Sequence, residues 1–169
     1  MEVFNLENSY RENIIDFATM HLGNNYVWGA KGPDEFDESG FPFYIFKELF
    51  EIDIEQDGYG IGNTTKQMTN SIGNLTKYIE EDEHKIKYLE KIQAGDLLFF
   101  HTLSLNDNQP TASNQYPGHV GIYLGHQKFI HAYKEAGKII ISNLDNIWLK
   151  KLIASRDIIS GIILKGTID

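Results

Sequence analysis

The sequence predicts an α+β fold in which N-terminal helices pack on an antiparallel β-sheet, and three observations predict it. Helical apolar spacing is confined to the first part of the chain. From Gly95 onward the pattern changes to short runs rich in β-forming residues. The change happens once, helices first and strands after, which is an α+β order. At 169 residues, with no internal repeat, no low-complexity linker and four scattered prolines, residues 1–169 read as a single domain. With 41% hydrophobic and 12% aromatic residues the chain can bury a core.

Taken in order, Ser9-Tyr-Arg-Glu12 has the spacing of a capping box, and Ile14, Ile15, Ala18 and Leu22 follow it on a helical stripe that Gly23 ends. A first helix is therefore expected to start near Ser9. Residues 41–50 are apolar enough for a buried helix, with Pro42 acceptable in its first turn and Ser39 at or near its N-cap. Residues 64–78 form a weaker helix candidate interrupted by Gly73, and residues 80–91 carry charges of both signs, as a solvated face or loop does. Strands are expected at residues 97–100, 120–124, 128–133, 139–144 and 158–164. Between the first two lies a long polar segment, residues 102–117, of a length found in functional walls and lids as well as in tolerated surface loops.

Charge and composition exclude several classes of function. Asp and Glu number 24 against 15 Lys and Arg, a formal charge of −9, and no basic block offsets the excess. Nucleic acids and anionic membranes need a positive surface, so neither is an expected partner. No run approaches the ~18 apolar residues of a membrane span. The first twenty residues contain no apolar core of a signal peptide, so the chain as written is expected in the cytoplasm, or outside the cell by lysis or dedicated export. There is no cysteine, which removes disulfides, thiolate zinc sites and cysteine nucleophiles together.

Four stretches carry the chemistry: Tyr26-Val-Trp-Gly29, Phe36-Asp-Glu-Ser-Gly-Phe41, Ala94-Gly-Asp-Leu-Leu-Phe-Phe100, and Gly118-His-Val-Gly-Ile-Tyr-Leu-Gly125 followed by Phe129-Ile-His-Ala132. In this order they resemble the NlpC/P60 family of papain-like cell-wall peptidases. The resemblance implies that family's fold, activity on the short stem peptides of bacterial peptidoglycan, and no cofactor. In the family the second stretch reads Phe-Asp-Cys-Ser-Gly, with the cysteine as nucleophile at the start of a helix. That position is Glu38 here. The resemblance carries the general-base histidine to His119 and the third, orienting polar residue to His131, while substrate-binding positions map to Tyr26, Asp37 and Ser39. Spacing agrees for the histidines: they lie twelve residues apart on successive strands, and a tight turn around Gly125-His126 can set both rings on one face.

In such a site the thiolate is sustained by a helix N-terminus and a neighbouring histidine, whose proton later passes to the leaving amine. A glutamate keeps the negative charge, which a helix N-terminus also favours, but not the nucleophilicity. Glu38 is expected to pair with His119 and hold it as imidazolium, leaving no general base. The primary reading is thus a peptidase domain made inactive by Glu38. The alternative is a non-catalytic module that binds wall peptides or a protein partner. A metal-dependent hydrolase would use Glu38, His119 and His131, but an orienting residue behind a histidine does not converge with it on a metal, so no metal is expected. An acyltransferase or deamidase on the same fold would lack the same thiol. Asp37 and Ser39 also suit helix capping, Trp28 suits the core, and His21, His84, His101 and His126 are expected to face solvent.

Overall fold

The computed structural model describes residues 2–54, 89–101 and 118–168. The helix candidate at 64–78, the charged stretch up to residue 88, His84 and the segment 102–117 lie outside these. The elements are α1 (Glu2–Thr19), β1 (Asn25–Tyr26), β2 (Glu35–Phe36), α2 (Gly40–Phe50), β3 (Leu97–Phe100), β4 (His119–Gly125), β5 (Lys128–Tyr133), β6 (Lys138–Asn143), α3 (Asn146–Lys151), β7 (Leu152–Arg156) and α4 (Ile158–Ile168). The strands form one sheet in the order β2-β1-β6-β5-β4-β3-β7. All neighbours are antiparallel except the two-residue pair β1–β2. No described helix is long and apolar enough to cross a membrane.

Both faces of the central strands are covered, and their period of two distributes the side chains. Leu97 and Phe99 of β3, Val120 and Ile122 of β4, and Ile130 and Ala132 of β5 face the core that holds Ile14 and Ala18 of α1 and Phe41, Ile45 and Phe46 of α2. The alternate residues Leu98, Phe100, Tyr123 and Phe129 enter a second cluster with Leu144 and Leu152, against which Trp148 and Leu149 of α3 pack. His119 and His131 are on this second face, in step with Gly121 and Phe129.

Two expectations need correction. The first helix does not begin at Ser9. It runs back to Glu2, because Glu7 sits one turn before Arg11 and bonds its guanidinium, so the apparent capping box lies inside the helix. Residues 158–164 are not a strand but the start of α4: Asp157 accepts the Ser160 N–H at 3.0 Å and its hydroxyl at 2.6 Å, capping a helix whose Ile159 and Ile163 fall on one buried face. A dense apolar run of that length fits either period, and the cap decides. The strand that completes the sheet is instead β7, which pairs with β3 and enters from α3, whose N-cap is Asp145.

Arg11, 5% exposed, ties three parts of the fold together. Its guanidinium meets Asp96 at 2.8 Å, Asp157 at 3.0 Å and Glu7 at 2.9 Å, and donates to the Ala94 carbonyl at 3.1 Å. The helix α1, the entry to β3 and the start of α4 thus share one buried cation. Asp96 also accepts the Gln93 N–H at 3.0 Å, yet burial still pushes its carboxyl up to about 6.

Candidate active site

The start of α2 is built around a buried carboxylate. Asp37 follows β2, and its N–H bonds to the Ala30 carbonyl at 2.9 Å. Its side chain accepts the Gly40 N–H at 2.7 Å and the Gly29 N–H at 3.2 Å, with the Ser39 hydroxyl at 3.4 Å. The N-cap residue of α2 is Ser39, but its hydroxyl makes no cap hydrogen bond; Asp37 supplies the cap from two residues upstream. Gly40 leaves room for this closure, since a Cβ there would stand 2.1 Å from the Ala30 oxygen. Asp37 and Ser39 are both fully buried. Burial, and secondarily the charge of Glu38, push the Asp37 carboxyl up to about 6 against the pull of its N–H donors.

Glu38 sits between these two buried residues, immediately before the helix. Its carboxylate accepts the Tyr26 hydroxyl at 2.5 Å. Burial and this carboxylate both raise the Tyr26 phenol. The expected pairing of Glu38 with His119 is not formed: among the described residues no carboxylate makes an ion pair with either imidazole, and Tyr26 takes the place assigned to the histidine. His119 is accordingly not held as imidazolium.

The histidines come together through the β4–β5 hairpin. Its two central residues, His126 and Gln127, have φ of 50° and 58°, the left-handed pair that matches strand twist in a two-residue turn. His119 Nε2 lies 2.8 Å from His131 Nδ1, and His131 Nε2 lies 2.8 Å from the Ser142 hydroxyl on β6. Ring neighbours pack the His131 imidazole at centroid distances of 4.4 Å for Phe129, 5.0 Å for Trp148 and 5.2 Å for Tyr133. Gly121 makes this packing possible, because a Cβ there would stand 2.7 Å from the Phe129 ring and 3.4 Å from His131 Cβ. Burial pushes His119 down to about 3, and burial with the neighbouring His119 pushes His131 down to about 2. Both rings are neutral at pH 7. A neutral imidazole can take a proton only at whichever ring nitrogen is bare, and burial lowers the affinity of that nitrogen for it.

Asp37 and the two histidines respond to pH in opposite senses. For Asp37 the folded pKa lies above the unfolded one, so its contribution to stability is complete below about pH 4 and is lost as pH rises through about 6. For the histidines the folded values lie below 6.5, so their contribution is complete above that pH and is lost as pH falls toward 3. Urea unfolding at pH 4 and pH 7 should therefore show that the change in stability over that rise is more favourable in the Asp37→Asn variant than in the unaltered protein, by up to about 3 kcal/mol for a shift of two units. Equal changes would place the Asp37 pKa at its ordinary value.

Sequence reasoning passed over Ser142 and Trp148. The signal for Ser142 was the β6 alternation, which sets Ile140 and Ser142 on the face of the sheet that carries His131, through the His131–Ile140 and Phe129–Ser142 pairings. Two other positions reverse their expected environment. Trp28 is 64% exposed and is no core residue. His21, expected in solvent, has its ring edge-on to Phe17, Phe36 and Tyr44 at 5.2–5.4 Å, and its Nδ1 meets the Asn24 amide at 3.3 Å. His101 is half-buried at the end of β3, and His126 is exposed.

Against known proteins, the sequence model of the NlpC/P60 family matches residues 23–157. A "probable endopeptidase p60" of Listeria grayi is 36% identical over 68% of this chain and 16% of its own length. The "murein DD-endopeptidase MepH" of Escherichia coli is 29% identical over 82% of this chain and 42% of its own. The chain spans about half the length, or less, of the curated relatives it matches. Among solved structures, the NlpC/p60 domain of the peptidoglycan hydrolase SagA aligns with a TM-score of 0.59 at 26% identity, covering 87% of this chain and 98% of that one.

Proposed function

Because the chain belongs to the NlpC/P60 family, we propose that it is a peptidoglycan-peptide hydrolase domain that retains the base machinery of a cysteine peptidase and lacks the attacking group. Relatives named as peptidoglycan hydrolases and murein endopeptidases support the substrate class. The observation that carries the reading is the His119–His131–Ser142 chain, closed by two 2.8 Å contacts and held neutral, in a protein whose nucleophile position is a carboxylate bonded to Tyr26. A carboxylate oxygen is a poor attacker at an amide carbonyl, and an anhydride would follow if it did attack. Inactivity then rests on the missing thiol and not on a trapped imidazolium. Tyr26 and Glu38 form the polar wall a stem peptide would meet, while Asp37 and Ser39 fix the backbone on which that wall stands.

Incubated with purified peptidoglycan, the unaltered protein should sediment with the wall and release no soluble peptide, by chromatography of the supernatant. Release insensitive to chelator would overturn the reading. Release abolished by a chelator would transfer Glu38 to metal chemistry. Retained binding of wall peptides by a Glu38→Cys variant that also fails to cut would favour the binding module.

A further inference from the structure

Two neutral imidazoles and one hydroxyl in line have two ways to arrange their protons. In the first, His119 Nε2–H donates to His131 Nδ1 and His131 Nε2–H donates to Ser142 Oγ. His119 Nδ1 is then bare and can accept a proton. In the second, the Ser142 hydroxyl donates to His131 Nε2 and His131 Nδ1–H donates to His119 Nε2. His119 Nδ1 then carries the proton and cannot act as a base. The contacts of 2.8 Å on either side of His131 fit both directions, so the end of the chain decides which one is populated.

That end is Ser142. It is half-buried on β6, and its hydroxyl oxygen lies 2.8 Å from His131 Nε2. A hydroxyl can donate or accept, and the first arrangement is the one in which Ser142 turns its own proton away from the ring and accepts from His131 Nε2–H. Phe129, Tyr133 and Trp148 hold the His131 ring against rotation, so the ring cannot find another acceptor by turning. Three strands cooperate: β4 supplies the base, β5 the orienting imidazole and β6 the acceptor.

We propose that Ser142 is a positioning residue that fixes the tautomer of His131 and, through it, presents His119 Nδ1 as a bare nitrogen on the side of the ring away from His131. The relevance to catalysis rests on His119 being the base of this site, but the tautomer assignment does not.

The test reads the protons directly. In protein carrying 15N-labelled histidine, two-bond 1H–15N correlation spectra at neutral pH should show Nε2–H tautomers for both His119 and His131, with an unprotonated Nδ1 on each. In Ser142→Ala the His131 resonances should move toward the Nδ1–H form, with His119 following, and Ser142→Thr should restore the original pattern. An Nδ1–H tautomer at His131 in the unaltered protein would overturn the proposal, whether or not Ser142→Ala folds. Unchanged tautomers in a folded Ser142→Ala would overturn it equally. In the Glu38→Cys background, Ser142→Ala should lower kcat about tenfold with KM unchanged, and Ser142→Thr should recover it. If Glu38→Cys is inert toward peptidoglycan, the function proposed above fails while the spectra still decide the role of Ser142.

Discussion

Arg11→Ala should cost the protein about 3–5 kcal/mol of unfolding free energy, the range for removing one partner from a buried ion pair. The guanidinium is the only described cation that meets Asp96 and Asp157 together, and Asp96 is 4% exposed. Without it the Asp96 carboxylate keeps the Gln93 N–H alone, and the Ala94 carbonyl loses its side-chain donor. Lysine cannot stand in, because one ammonium cannot reach in the directions that the planar fork covers at once. Since protonation can neutralise the stranded Asp96, the loss should be smaller at pH 5 than at pH 8. Chemical denaturation at the two pH values measures both effects. A loss below about 1 kcal/mol, the value of an exposed pair, would show that the cluster contributes no more than a surface contact.

What was legible in the sequence follows the physics of periodicity. The strands β3, β4 and β5 alternate or run apolar between clear turn residues, and the Gly125-His126 turn sets their register, so the meeting of His119 with His131 could be anticipated. The helix α2 was equally plain, a concentrated apolar run behind a capping segment. Elements defined by one cap or one long-range partner were not. Asp157 turns an ambiguous apolar run into α4, and β7 exists because β3 offers it an edge. The partner of Glu38 is also a long-range fact. The resemblance sets a carboxylate opposite a histidine and so suggests an ion pair, but β1 carries the Tyr26 hydroxyl to that carboxylate, and no local pattern encodes that. Asp37 illustrates the reverse case: capping and substrate contact were both compatible with its type, and full burial among backbone N–H groups favours the cap.

Glu38→Cys should produce the largest change in activity. The shorter side chain releases the Tyr26 hydroxyl and sets sulfur immediately before α2, where the N-terminal dipole of an eleven-residue helix favours a thiolate. On the proposed function, His119 is then to take the thiol proton and later return it to the leaving amine, with His131 and Ser142 in line behind the ring. A nucleophile and its general base together contribute rate factors of at least about 10²–10⁴ over a site that lacks them. Tyr26 is left free to donate to substrate.

Peptide release from purified peptidoglycan by the unaltered protein, by Glu38→Cys and by Glu38→Cys with His119→Ala, followed side by side, tests this most directly. Release by the single cysteine variant alone is the predicted result. Equal release by the unaltered protein, or release by the double variant at the rate of the single one, would contradict the assignment of position 38 and His119 as nucleophile and base.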